Sequence, residues 1–153
     1  MINFAWTAFA HDTHRQSEDA RAPAFPSLGA LIVEQMADAL IYADRHGTIE
    51  RWNAAATALF GFTAAEALGQ SLDLVIPEHL RAAHWRGFDA AMQTGATRLN
   101  GRPTVTRALH RSGSKLYVEM SFAVVLDAFG GVQGSVAVAR DVTERMASAK
   151  PPR

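Results

Sequence analysis

The order of elements predicts an α+β domain. It consists of a five-stranded antiparallel sheet with short helices and one longer helix over one face, preceded by an N-terminal helical extension. Three observations predict it. Two short alternating runs, ALIYADR and TIERWN, flank a His46-Gly47 turn. Three longer runs rich in β-branched and aromatic residues follow Gly95, separated by Ser112-Gly113 and Gly130-Gly131. Between these two groups lie only helical patterns, the longest of them EHLRAAHWRGFDAAMQTG. Strands and helices segregated in this way pack as one sheet covered on one face.

Each element follows from local chemistry. Ile2, Trp6 and Phe9 form a short apolar stripe, so residues 1–20 read as an amphipathic helix, interrupted by Pro23 and Pro26. Residues 1–27 are therefore assigned to an extension and linker, 28–145 to the domain, and 146–153 to a tail. Ser27 is placed to cap a short helix, SLGALIVEQMAD. Strands at 39–45 and 48–53 form the first hairpin. AAATALFG is a helical piece ending at Gly61, and TAAEALG opens with Thr63 and Glu66 at capping-box spacing. Pro77 suits the first turn of the long helix. After the three strands, Thr143 is a candidate N-cap for a terminal helix.

Composition excludes several functions. The chain has 153 residues, 48% hydrophobic and 20% charged, enough for a real core. Fifteen basic and fifteen acidic residues cancel, so neither nucleic acid nor an anionic membrane surface has an electrostatic foothold. No cysteine is present, which removes disulfides, thiol nucleophiles, cysteine-ligated zinc and cysteine-linked chromophores. No apolar run reaches the length of a membrane span, and the N-terminus lacks the pattern of a signal peptide, so a cytoplasmic location is expected. No serine, histidine and acid set has spacing that suggests catalysis, and no enzyme activity is expected.

One histidine is out of keeping with its surroundings. Leu80, His84, Phe88 and Ala91 fall at i, i+4, i+8 and i+11 and share one face of the long helix. A histidine on an apolar face is either a core residue bonded to a backbone carbonyl or a ligand to something in the pocket. Small Gly87 and Ala91 beside it leave space. His11 and His14, at i and i+3, make a poor metal site with only two ligands.

The motifs together resemble the PAS sensory domains. Asp44, Gly47, Ile49 and Asn53, then Phe60, Gly61 and Phe62, stand at that family's spacing. HRSGSKLYVEMSFAVV is similar to its charged-x-Gly-Ser hairpin, and VAVARDVTERM to its last strand with an Asp-x-Thr exit, here Asp141 and Thr143. HWRGFDAAMQTGATRLNG further resembles the haem-binding PAS domains of oxygen-sensing histidine kinases, through His84, Thr94-Gly95, Arg98 and Gly101.

That resemblance implies a cytoplasmic sensory module with haem b ligated by His84. Arg98 would stand near a propionate. Gly87, Ala91, Leu99, Thr104, Met120, Phe122 and Val138 would line the pocket. Where the haem family often places a gas-contacting strand arginine, this chain has Thr104; Arg102 shares its strand parity and Arg107 does not. Asp141 and Thr143 would form the signalling exit toward a downstream partner. Separately from the resemblance, the apolar stripe of Ile2, Trp6 and Phe9 points to a homodimer through the N-terminal helix. The alternatives are a ligand-free interaction and dimerisation module, and a noncovalent flavin redox sensor with Trp52 and Trp85 as stacking or electron-transfer partners.

Overall fold

The computed structural model describes residues 26–149. The expected N-terminal helix, with Ile2, Trp6, Phe9, His11 and His14, lies outside the described residues, as does the end of the tail. Helix α1 (Leu28–Gln35) leads to the hairpin β1 (Ala39–Asp44) and β2 (Ile49–Trp52). Helices α2 (Ala54–Phe60) and α3 (Ala64–Ala67) follow, then a 3-10 turn, Leu72–Leu74. The long helix α4 (Glu78–Thr94) precedes β3 (Thr104–Leu109), β4 (Lys115–Leu126) and β5 (Val132–Asp141), and α5 (Thr143–Ser148) closes the described chain.

The five strands form one sheet in the order β2-β1-β5-β4-β3, and every pairing is antiparallel. This is the predicted α+β architecture. Alternate residues of each strand face the helical layer. On β1 these are Ala39, Ile41 and Ala43, all buried. Register then puts Ser135, Ala137 and Ala139 of β5 on the same face, with Met120 and Phe122 of β4 and Thr104 of β3 beyond.

Local chemistry sets the element ends as the sequence suggests. Ser27 caps α1 through a bond from the Ala30 N–H, but α1 stops at Gln35 because Met36 turns extended. Gly61 ends α2 with φ 81°, a left-handed conformation open to glycine. Thr63 and Glu66 form a reciprocal capping box on α3. Pro77 sits one position before α4, in the cap position. One expectation is corrected: Thr143 is the first residue of α5, not its cap. Its hydroxyl accepts a bond from the Tyr117 N–H on β4 at 3.0 Å, while the Asp141 carboxylate accepts from the Thr143 N–H at 2.8 Å.

The β1–β2 hairpin is fixed by two devices. Asp44 Oδ1 accepts from the N–H groups of His46 and Thr48 at 2.8 and 2.9 Å, an Asx turn. Gly47, at φ 79°, lies directly under the Trp85 indole of α4, where any side chain would collide with the ring. The Trp85 indole donates to Asp73 Oδ1 at 2.9 Å. The N-terminal half of α4 is thus clamped to the hairpin and to the 3-10 turn.

Candidate functional site

A cavity of about 400 Å³ lies between α4 and the inner face of the sheet. Sites for small ligands have volumes of roughly 300–1,000 Å³ and mostly apolar walls with few polar groups. The helix wall is made by Leu80, His84, Gly87, Phe88 and Ala91, the stripe read from the sequence. The sheet wall is made by Ile41, Ala43, Ser135, Ala137, Met120, Phe122, Thr104 and Thr106. Leu99 and Arg98, both exposed, stand on the segment after α4 and border the same space.

The void comes from small side chains on both walls. Gly87 has nothing within 4 Å of where a Cβ would sit. On the sheet, Ala43, Ser135 and Ala137 are short where a core would ordinarily carry Leu or Ile. These sheet residues were not among the predicted site residues. Their signal was present in the sequence, as small residues at alternate positions of two strands that pair.

Val138 does not line this cavity, and that expectation is corrected. It pairs with Leu40 on one side and Ser121 on the other, so it faces away from α4. Ala137 and Ala139 face inward instead. Val138 could not be placed by hydropathy, because both faces of β5 are apolar. The two other arginines weighed for the strand also separate. Arg102 precedes β3 altogether and is exposed. Arg107 borders the cavity, but its guanidinium lies 6.0 Å from the centre of the Tyr117 ring, opposite it on β4.

His84 has unusual surroundings. Its ring meets Trp85 edge-on, with centroids 5.1 Å apart, and lies tilted against Phe88 at 6.0 Å. Its Nδ1 is buried and finds no hydrogen-bond partner among the described residues. Burial pushes its pKa below the ordinary histidine value, while the carboxylates of Asp73 and Asp89 pull the other way. The ring is therefore neutral at pH 7 and keeps a nitrogen lone pair free to bind. No group of three His, Asp or Glu side chains is placed to hold a bare metal ion among the described residues. What the cavity wall offers a guest is thus a single neutral imidazole.

Neither candidate stacking tryptophan lines the cavity. Trp52 is buried against Phe60, with centroids 5.5 Å apart, and its indole donates to Thr57 Oγ1 and the Phe62 carbonyl. Trp85 is the clamp over Gly47 described above.

The exit from β5, the central strand, is tied to its surroundings by ion pairs. Arg140 meets the Asp38 carboxylate in a bidentate pair at 2.7 and 2.8 Å, and that bond holds Asp38 below the usual carboxylate range. Arg145 of α5 reaches Glu119 of β4 at 2.7 Å. No described helix is long and apolar enough to cross a membrane.

Comparison with known proteins agrees with this architecture. The family profile described as PAS fold matches residues 33–147. The chain is 33% identical to an uncharacterised protein of Azorhizobium caulinodans over 112 residues, covering 72% of this chain and 15% of that protein. It is 28% identical over 113 residues to Sensor protein FixL of Bradyrhizobium diazoefficiens, covering 74% and 22%. It is 27% identical over 126 residues to Oxygen sensor protein DosP of Escherichia coli, covering 80% and 14%. The chain thus spans less than a quarter of each of these relatives. Among solved structures, the PAS domain of a Colwellia psychrerythraea protein superimposes with a TM-score of 0.67 at 21% identity, over 76% of this chain and 96% of that one. An RNA-binding Light-Oxygen-Voltage receptor superimposes with a TM-score of 0.62 at 24% identity, over 78% and 34%. The sheet order, the helical layer, the motif spacing and the family match lead to one conclusion: the chain belongs to the PAS fold family of sensory domains.

Proposed function

We propose that this sensory module takes haem b into the cavity between α4 and the sheet, with His84 as the axial ligand, and reports a change there through α5. The observation that carries this reading is the His84 Nδ1, buried on a cavity wall without a partner among the described residues. An unpaired buried polar atom costs about 1–3 kcal/mol, so it is retained where something outside the fold uses it. A core histidine bonded to a carbonyl, the plainer reading, would not leave that nitrogen alone.

Bound haem would supply an iron able to take a further ligand or an electron. The chain's own residues do the rest. His84 offers a neutral imidazole because burial holds the proton off. Gly87 and Ala91 keep the helix wall low beside it. Arg98 is on the rim and exposed, and it would meet carboxylates that remain in water. Leu99, Thr104, Met120 and Phe122 close the remaining sides. The likeness to Sensor protein FixL and Oxygen sensor protein DosP supports the same reading. The noncovalent flavin alternative loses its stacking partners, since Trp52 and Trp85 are engaged elsewhere.

Asp141 and Thr143 are proposed as the output joint, because their bonds connect β5, α5 and β4 at one point. A homodimer through the N-terminal segment is also proposed. Leu28 and Ile32 of α1 are 73% and 59% exposed, a stripe that a second copy would cover. Light scattering of the full chain and of a form lacking residues 1–20 checks it: a dimer weakened by the deletion is expected, and a monomer at high concentration contradicts it.

The test of the haem reading is a titration of haem into wild type and His84→Ala, followed by absorbance. Wild type should show a saturable Soret band at one haem per chain, and His84→Ala should lose it. Equal, weak uptake by both would end the haem reading.

A further inference from the structure

Resting on the haem reading above, we infer that Trp85 is the positioning residue of the site: its indole, seated on the β1–β2 turn, sets the plane in which His84 offers its imidazole. Neighbours one apart on a helix point in different directions, yet the His84 and Trp85 rings stand 5.1 Å apart and nearly perpendicular, at 81°. Trp85 is likewise edge-on to Phe88, at 5.3 Å and 74°. The imidazole thus belongs to a cluster of three rings on one helix.

A histidine that ligates a metal is ordinarily turned to its task by a hydrogen bond to its other ring nitrogen. His84 Nδ1 has no such partner among the described residues. Packing must then orient the ring, and the two packing neighbours are not equal. Phe88 lines the cavity itself and lies at 6.0 Å, tilted by 30°. Trp85 is nearer, lies off the cavity and is pinned at both ends of its indole. Its six-membered ring occupies the place where a Cβ on Gly47 would stand, so only glycine admits it there. Its N–H donates to Asp73 Oδ1 at 2.9 Å.

The two supports are themselves one piece. The Leu72 N–H donates to the Gly47 carbonyl at 3.0 Å, and Thr48 pairs with Ser71, so the turn and the 3-10 segment are joined. Arg81 of α4 donates to the carbonyls of Ile76 and Asp73 at 3.1 and 3.2 Å, which ties the helix to the same segment. No residue of the turn, 45–48, is among the described residues that line the cavity. Through Trp85 the turn nevertheless bears on the imidazole. Rotation of the His84 ring presses on an indole that cannot yield without lifting off Gly47 or releasing Asp73.

The test compares wild type, Asp73→Ala and Asp73→Asn as full chains. Alanine frees the indole N–H; asparagine keeps a carbonyl oxygen for it and removes only the charge. In the ligand-free, isotope-labelled protein, the magnetic resonance signals of the His84 ring are identified by their loss in His84→Leu. Wild type and Asp73→Asn should give one sharp set, and Asp73→Ala a broadened or doubled one. Haem affinity should follow, falling roughly 10-fold in Asp73→Ala and recovering in Asp73→Asn. Circular dichroism checks folding, and Trp85→Phe, which keeps a ring and loses the donor, replaces Asp73→Ala if that variant does not fold. Wild-type ring signals in Asp73→Ala overturn the inference. So does an Asp73→Asn that matches Asp73→Ala, since charge rather than position would then act, and so does equal haem affinity across the three. If wild type takes up no haem, the haem reading ends, and the ring signals alone decide whether Trp85 sets the imidazole.

Discussion

Asn53 and His84 are both polar side chains set among apolar ones, and they differ in what meets them. Asn53 is 1% exposed and uses all its hydrogen-bonding capacity. Its Oδ1 accepts from the N–H groups of Leu40 and Ala56, each at 2.9 Å, and its Nδ2 donates to the carbonyls of Val33 and Asp38, each at 3.0 Å. One side chain thereby fixes the end of α1, the start of β1 and the cap of α2. Around it Phe60, Ala56, Ile49 and Ala67 are closed off from water. His84, by contrast, has a buried nitrogen with no partner among the described residues and an open space before it. A satisfied buried amide belongs to the fold; an unsatisfied buried imidazole on a cavity wall is the group that the proposed ligand would use.

The largest effects are expected from breaking the closed end. Phe60→Ala should cost about 4 kcal/mol, since its ring is fully buried even though it also borders the cavity. Asn53→Ala should cost about 3 kcal/mol, because two N–H groups and two carbonyls lose their partner. Urea unfolding measures both, and a loss under 1 kcal/mol for either would show that this end is less closed than described.

An intermediate effect is expected at the exit. Asp141→Ala removes the bond to the Thr143 N–H at the start of α5 and should cost about 1 kcal/mol. If Asp141 is also the output joint, hydrogen exchange of α5 will stop responding to haem while haem affinity stays nearly unchanged. A ligand response equal to that of wild type would reduce Asp141 to a local bond.

Sequence legibility follows the same division. Caps and turns were readable because they depend on neighbours in the chain: Ser27, Gly61, and the Thr63–Glu66 box. The helix stripe that carries His84 was readable because α4 is long enough for its period to show. The sheet wall was less so. Its face assignment depends on register against β1 and β4, and β5 offers apolar residues on both faces, so Val138 was assigned to the wrong side. Arg102 was given a strand parity although β3 starts at Thr104, because an irregular stretch has no period to read. Ala43, Ser135 and Ala137 passed as ordinary small residues until pairing brought them together opposite Gly87.

A smaller effect of opposite sign sharpens the contrast at the open end. Glycine inside a helix costs up to about 1 kcal/mol relative to alanine, and a Cβ on Gly87 meets nothing. Gly87→Ala should therefore stabilise the ligand-free protein by roughly 0.5–1 kcal/mol. Gly87→Leu should leave the fold intact yet block haem uptake. Destabilisation by the alanine would mean that the space beside His84 is not free.

The smallest effect is on the dependence of stability on pH. Burial depresses the His84 pKa in the folded state below its ordinary value of 6.5. The unfolded chain then binds the proton first. His84 therefore supports the fold above pH 6.5, and that contribution is lost as pH falls through the depressed folded value. Wild type should lose stability over this window more steeply than His84→Leu. Parallel curves would mean that the ring is not buried as described.

The most direct test of His84's role is the stability of the ligand-free protein, wild type against His84→Leu, in urea at pH 7. If the imidazole is held for a ligand, leucine removes an unpaired polar atom and fills apolar space, so the midpoint stays the same or rises. If the histidine is instead a partner in the core, the variant strands its neighbour and loses about 1–3 kcal/mol. That loss would contradict the account.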